Sequence, residues 1–413
     1  MKMKSKKLAI IGGGAAGFFA AITAAETDPE AEVYILEKST KLLSKVKVSG
    51  GGRCNVTNAT FENYNLIKNY PRGAKELRKI FDQFSVKDTI KWFESRGVKL
   101  KTEEDNRIFP ITDNSQTIID CLLRQAEKNK IKILTGYGVK KIISPTSPEH
   151  RFTLLFNDHH ELQFDKIVIA TGGYPQQASY HWIEELKQPI QNPVPSLFTF
   201  NIPDSKFKDL QGIAVAQANL KLTGVKSEQE GPLLITHWGL SGPGVLRLSA
   251  WEARRLNEVN YDFSILINLV PEFNEEKIKE FFNVYRSENP KKIIVSNPLF
   301  QIPKRLWERL VELAGISPTT RWSDVSSKGI NKLMEELIRN SVKVKGKTTF
   351  KEEFVTCGGV DLSQVNISTL ESKITPGLFF AGEVLDIDGI TGGFNFQAAW
   401  STGYLAGKSM SKD

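Results

Sequence analysis

The apolar pattern opens with a short run, Lys7-Leu8-Ala9-Ile10-Ile11-Gly12, then small residues from Ala15 to Glu26, then a second run from Glu32 to Glu37. Short continuous runs of this kind suit strands buried on both faces, and the small-residue stretch suits a helix packed on them, so the chain opens as a βαβ unit. Helices are predicted at about Ala74–Phe84 and at Val86–Arg96, the second stopped by Gly97, and from a cap at Ser115 to Lys128. Lys132–Thr135 returns as a strand. From Gly138 to Thr171 the period drops to two, which predicts a meander of Lys140–Ser144, Phe152–Asn157 and Glu161–Ala170 with a turn at Asn157-Asp158.

Near Pro189 the pattern changes. Pro189, Pro193 and Pro195 crowd together and mark a domain exit. Residues 196–270 alternate as strands with one helix after Ser241. Residues 271–337 have helical spacing: Asn274 caps one helix, Pro303 lies in the first turn of another ending at Gly315, and a third lies near Asn331–Arg339. Strand patterning resumes at Val342–Thr356, and Gly377 to Met410 reads as strand, glycine-rich loop and helix.

Composition removes several classes. The 413 residues are 40% hydrophobic and 25% charged, as in a soluble multidomain protein, and no apolar run approaches the ~20 residues that span a bilayer. Lysines at the start imitate a signal peptide, but Gly12, Gly13 and Gly14 break the apolar stretch, so the expectation is a cytoplasmic protein without a membrane partner. Cys54, Cys121 and Cys357 form no Cys-x-x-Cys, and five histidines lack metal-ligand spacing, so neither a disulfide framework nor a metal site is expected. The net charge of +8 is spread over every region beside acidic residues. No nucleic-acid partner is expected from it; an RNA-associated reading would rest on that balance alone.

Candidate chemistry sits at the strand ends. Gly12-Gly13-Gly14-Ala15-Ala16-Gly17 is Gly-x-Gly-x-x-Gly directly after a strand and opening a helix. Gly12 permits the tight turn, Gly14 lets a pyrophosphate approach the backbone, Gly17 allows close helix–strand packing, and the helix amides face the phosphate charge. Glu37 ends the next strand, with Lys38 behind it, where an acid accepts from ribose hydroxyls and disfavours a 2′-phosphate. Three more segments decide for non-covalent FAD: Ser49-Gly50-Gly51-Gly52-Arg53-Cys54-Asn55, Ala170-Thr171-Gly172-Gly173 closing a strand, and Ala381-Gly382-Glu383 followed by Gly392-Gly393-Phe394-Asn395 at the start of the last helix. Arg53 is the phosphate's expected charge partner and Glu383 that of a ribityl hydroxyl.

These motifs resemble the two-dinucleotide-binding-domain flavoproteins. Ser-Gly-Gly-Gly-Arg-Cys-Asn-x-Thr-Asn, Arg107-Ile108-Phe109-Pro110, Thr236-His237-Trp238-Gly239-Leu240-Ser241-Gly242-Pro243 and Gly382-Glu383-Val384-Leu385-Asp386-Ile387-Asp388-Gly389 narrow the resemblance. They are similar to the bacterial family labelled NAD(P)/FAD-dependent oxidoreductase or aminoacetone oxidase family FAD-binding enzyme, the YhiN/BaiN type. The resemblance implies an α/β fold, a Rossmann-like FAD-binding domain of glutathione-reductase type with an inserted small β-barrel and helical subdomain. Its expected boundaries are 1–191 and 357–413 for the FAD domain, 192–270 and 338–356 for the barrel, and 271–337 for the helices. It also implies an adenine contact from the backbone at Val139. A second Gly-x-Gly-x-x-Gly on a βαβ unit is missing, so NAD(P)H enters only as a transient donor.

Other residues have bland and sharp readings. Cys54 and Cys357 are two buried side chains or a redox pair. Phe396 and Trp400 are core before they are a substrate cage. Asp386 and Asp388 are an acid–base pair or partners of backbone amides. The expected activity is hydride transfer between flavin and a small organic substrate in a cleft between the FAD domain and the barrel. The resemblance implies reduction of an unsaturated or keto compound with NAD(P)H, or oxygen-dependent oxidation of a small amine; a non-catalytic flavin sensor or carrier is the rival. His237 is the candidate proton donor or acceptor, with a structural tie as its alternative.

Overall fold

The computed structural model describes residues 5–412, apart from 146, 148–150, 158–159, 205 and 349–354. The chain divides into two compact units, Met1–Ser196 with Lys351–Asp413, and Leu197–Phe350.

The first unit is built on β1 (Lys7–Ile11), α1 (Ala15–Thr27) and β2 (Glu32–Glu37). Its seven-stranded sheet runs in the order Val365–Asn366, Glu371–Ser372, Leu378–Phe380, Lys166–Ile169, β1, β2, Lys132–Thr135. The last five are parallel, as their unbroken apolar runs require, and the first two form an antiparallel edge. The last helix, Phe394–Met410, lies against α1 so closely that glycine is required. A Cβ on Gly403 would stand 2.5 Å from the Ala16 carbonyl oxygen, and one on Gly407 would stand 2.2 Å from that of Ala20. Trp400 is fully buried there, 4.8 Å from Phe19 between ring centroids, with its indole N–H given to the Val56 carbonyl. The core reading of Trp400 therefore holds, and Phe396 stacks on it.

The predicted meander is real but shorter. Val139–Ile143, Phe152–Phe156 and Glu161–Phe164 pair antiparallel, and the chain then turns at Asp165 into Lys166–Ile169 of the parallel sheet. Asp165 holds that corner, accepting from the Lys7 amide at 2.6 Å and from Arg151. Asp158 of the predicted turn lies outside the described residues. Ser115 does not cap its helix: its hydroxyl goes to the Lys47 carbonyl, and Asn114 takes the Gln116 amide instead. Residues 192–196, assigned from the proline cluster to the inserted unit, belong to the strand Ile190–Ser196, which pairs with Val355–Val360 inside the first unit.

The second unit is a seven-stranded antiparallel sheet with helices. Its two edge strands, Asn340–Lys345 and Lys347–Thr348, follow one another through Gly346 alone, so the sheet must curl until its edges meet, as in a small barrel. Helices Glu275–Glu288, Lys304–Leu313 and Ser327–Ile338 share one hydrophobic core with those strands, from Leu220 and Ile265 to Trp307 and Leu337. Asn274 caps the first of them by accepting from the Lys277 amide, whereas Pro303 stands one position outside its helix, at the cap.

Candidate functional site

β1 has β2 on one side and Lys166–Ile169 on the other, so the crevice beyond its carboxyl end is the topological switch point where open α/β sheets bind ligands. The three motif glycines divide their tasks there. Gly12 has φ +118°, and a Cβ would stand 2.4 Å from the Ala170 carbonyl oxygen. Gly17 would place a Cβ 1.9 Å from the Gly12 oxygen. Gly14 would meet nothing within 4 Å: it faces open space at the head of α1. No side chain caps that helix and no acid occupies its first turn, so the amides around Ala15 and Ala16 are available to an anion. Gly51, Gly52 and Gly172 also face open space, all at positive φ. Open glycine backbone beside an uncapped helix start fits the pyrophosphate of a dinucleotide.

The carboxylate of Glu37 is fixed by two amides, Gly13 to Oε2 and Ser39 to Oε1, both at 2.8 Å. Each oxygen keeps a lone pair for a ribose hydroxyl. Lys38 is exposed, with its Nζ 5.6 Å from the Tyr174 ring. The Tyr137 amide gives to the Glu37 carbonyl, and Val139 starts the meander, paired with Phe156. Ala170 and Thr171 lie against Gly12, and Gly382 lies against Ala16, with its amide held by the buried Thr402 hydroxyl. Glu383 accepts from the Thr356 amide at 2.9 Å and pairs with Lys45 at 2.7 Å. Lys45 and Thr356 were absent from the sequence expectations; the only signal was the Thr356-Cys357-Gly358-Gly359 strand, whose glycines let it close on Asn192 and Val384.

Several expected site residues have other structural work. Arg53 pairs with Glu103 at 2.6 Å, and its guanidinium stacks 4.0 Å from the Phe109 ring, which unites two of the family motifs. That engages the charge expected for phosphate. Ser49 gives its hydroxyl to the Val46 carbonyl. Asn55, oriented to satisfy both ends of its amide, accepts from the Gly393 amide and gives to the Thr57 carbonyl. The last helix begins at Phe394, behind Gly393 at φ +94°, and not at Asn395. Asn395 instead grips Gly389 through both its amide and its carbonyl, at 2.8 and 2.9 Å. Asp388 is fully buried in a two-pronged pair with Arg72 and also accepts from Ser196 at 2.7 Å. This is neither an acid–base pair with Asp386 nor an amide contact; burial pushes its carboxyl upward against the pull of Arg72.

Cys54 sits beyond the glycines at φ +61°, completely buried, and burial pushes its thiol up to about 12 against a hydrogen bond with Ser49. A thiolate redox pair with Cys357 is thereby disfavoured. The raised value favours the neutral thiol in the fold. The stability it contributes is complete below the unfolded thiol's value of about 8.5 and is lost as pH rises toward 12. Wild type is expected to lose several kcal/mol more than Cys54→Ala between pH 9 and pH 12, on the order of 1.4 kcal/mol per unit. Equal slopes in urea titrations would remove this assignment.

In the second unit the strand Glu228–Ile235 turns at Thr236–Trp238 into Gly239–Ser241, and Pro243 then opens a helix. His237 is thus at a hairpin tip, not a strand–helix junction. It is exposed and makes no hydrogen bond among the described residues, which removes the structural tie within its own unit. Among the described residues no cluster could hold a metal ion.

The HI0933-like protein Rossmann domain family matches residues 6–409. The chain belongs to this family. It is an FAD-dependent oxidoreductase. It is 28% identical over 414 residues to the 3-dehydro-bile acid delta(4,6)-reductase of Clostridium scindens, covering 98% of this chain and 99% of that protein. With the ribosomal RNA dihydrouridine synthase of Escherichia coli it shares 30% identity over 416 residues, 97% of each chain. In fold it is similar to a flavocytochrome c3 fumarate reductase in the open conformation, with TM-score 0.51 and 17% identity over 99% of this chain and 78% of that one. A 3-ketosteroid-delta4-(5alpha)-dehydrogenase from Rhodococcus jostii also has TM-score 0.51, at 12% identity over 100% and 99%. No helix among the described residues is long and apolar enough to cross a membrane.

Proposed function

We propose that the protein reduces a carbon–carbon double bond conjugated to a carbonyl. The observation that carries this reading is the agreement between two relatives aligned over nearly the whole chain. A delta(4,6)-reductase of a 3-dehydro-bile acid and a synthase of dihydrouridine name different molecules but one bond change, saturation of a C=C whose π-system continues into a carbonyl. Such a bond takes hydride at the carbon remote from the carbonyl, and a proton then arrives at the carbon beside it. Bound FAD supplies the hydride chemistry.

The remaining work falls to the chain. The open glycines and the amides at the head of α1 hold the pyrophosphate, and Glu37 and Glu383 orient sugar hydroxyls. His237 is proposed as the proton donor, supported by its exposed place on the hairpin and its lack of a competing hydrogen bond among the described residues. NAD(P)H is proposed as the electron source, bound transiently.

The test is anaerobic. Holoprotein reduced with NADH or NADPH is mixed with a 4,6-diene 3-ketosteroid and, separately, with a uridine-containing RNA transcript. Return of the oxidised flavin absorption together with loss of the double bond in either arm is the expected result, and the responding arm names the substrate class. Bleaching by primary amines, with neither arm responding, would replace the proposal with amine oxidation. In the same assay His237→Gln should keep its flavin and lose roughly a hundredfold in turnover; full turnover would withdraw the residue.

A further inference from the structure

The loop between Asp388 and Phe394 is held on nearly every side by one earlier segment, residues 55–72. Arg72 grips Asp388, the Asn69 carbonyl takes the Ile390 amide, Asn58 gives to the Gly392 carbonyl, Asn55 accepts from the Gly393 amide, and Tyr70 gives to the Phe394 carbonyl. Asn395 closes the loop from within through Gly389. Thr391 stands in the middle of this frame. Neither its backbone nor its hydroxyl makes a hydrogen bond among the described residues, and its side chain is half-buried. Every other polar side chain of the loop is engaged. A rigid frame that leaves one hydroxyl free at its apex has the form of a preorganised contact, because immobilising the neighbours removes the entropy that a free loop would lose on binding.

The packing of the two glycine-bearing helices says what lies opposite. Gly403 faces Ala16 and Gly407 faces Ala20, so the last helix runs parallel to α1 and its start at Phe394 overhangs the head of α1 by about nine residues. At 1.5 Å per residue that is roughly 13 Å beyond the glycine turn. A dinucleotide whose pyrophosphate rests on the head of α1 extends its ribityl arm and ring along such an overhang. We infer that Thr391 is a cofactor-binding residue whose hydroxyl hydrogen-bonds the polar edge of the flavin ring. This rests on the FAD reading of the first unit, and it adds a residue that neither the glycine motif nor the acidic positions indicate.

The experiment compares Thr391→Val, which keeps the shape and removes the hydroxyl, with Thr391→Ser, which keeps the hydroxyl. Full-length apoprotein is titrated with FAD, and the flavin's visible spectrum and midpoint potential are recorded. Thr391→Val is expected to raise the FAD dissociation constant about tenfold, as loss of one hydrogen bond does. It should also shift the visible absorption bands and lower the potential, because a donor at the ring edge favours the electron-rich reduced form. Thr391→Ser should restore most of each change, and thermal stability of the apoprotein should be the same in all three. Unchanged affinity, spectrum and potential in Thr391→Val would overturn the inference, as would equal destabilisation of its apoprotein. Wild-type protein that binds no FAD would instead overturn the cofactor reading itself.

Discussion

Asp388→Asn should cost about 3–5 kcal/mol of stability, because it leaves the Arg72 guanidinium buried without its counter-charge. The side chain of Arg72 is 10% exposed and that of Asp388 is not exposed at all, so solvent cannot replace the lost partner. Asp388 is approached by Arg72 from the turn before the helix Ala74–Phe81 and by Ser196 from the end of a strand, so its loss loosens three segments together. Replacing both charges, as Arg72→Met with Asp388→Leu, should recover much of the loss, since an apolar pair of similar volume avoids the desolvation of two ions. Urea midpoints of the single and double variants check this. A single variant within about 1 kcal/mol of wild type would mean that the pair is solvated.

The same pair shows where sequence reading stopped. The βαβ opening, the acid ending β2 and the glycine clusters were legible because each obeys a local rule: an apolar period, a turn type, a fixed spacing. The structure puts Glu37 against the Gly13 amide and Ala170 against Gly12, as those rules imply. Asn55, Arg53 and Asn395 stand in equally polar, glycine-rich strings, yet their side chains answer to residues distant in sequence, Gly393, Glu103 and the loop at Gly389. No spacing rule distinguishes a side chain that faces a ligand from one that stitches two loops together. Thr391 is the converse: it stands beside the Gly392 and Gly393 that drew attention, and only the census of its neighbours' bonds singles it out. The proline cluster misplaced the unit boundary because proline reports a break in hydrogen bonding. The strand Ile190–Ser196 tolerates that break through a register shift between Gln191 and Val194.

Gly14→Val and Gly17→Ala should fail in opposite ways, although they lie three residues apart in one motif. Gly17→Ala forces a Cβ to 1.9 Å from the Gly12 oxygen and 3.3 Å from the Ile10 side chain, both on the strand–turn that α1 must pack against. No flexible side chain is available to move aside, so the cost exceeds the ~1–3 kcal/mol of ordinary overpacking and the variant should unfold at lower temperature with or without FAD. Gly14 has φ −95° and ψ −171°, a conformation open to any residue, and nothing within 4 Å of a new Cβ. Gly14→Val apoprotein should therefore melt as wild type does. The valine would instead fill the space over the uncapped helix amides, and FAD affinity should fall by at least a hundredfold, about 2.7 kcal/mol. The two readouts separate the roles: thermal melting of the apoprotein reports packing, and flavin titration reports the cradle. If Gly14→Val lost stability without FAD, the open space would not exist in solution. If it bound FAD normally, the pyrophosphate would have to lie elsewhere, and the assignment of α1 as its anchor would fall with it.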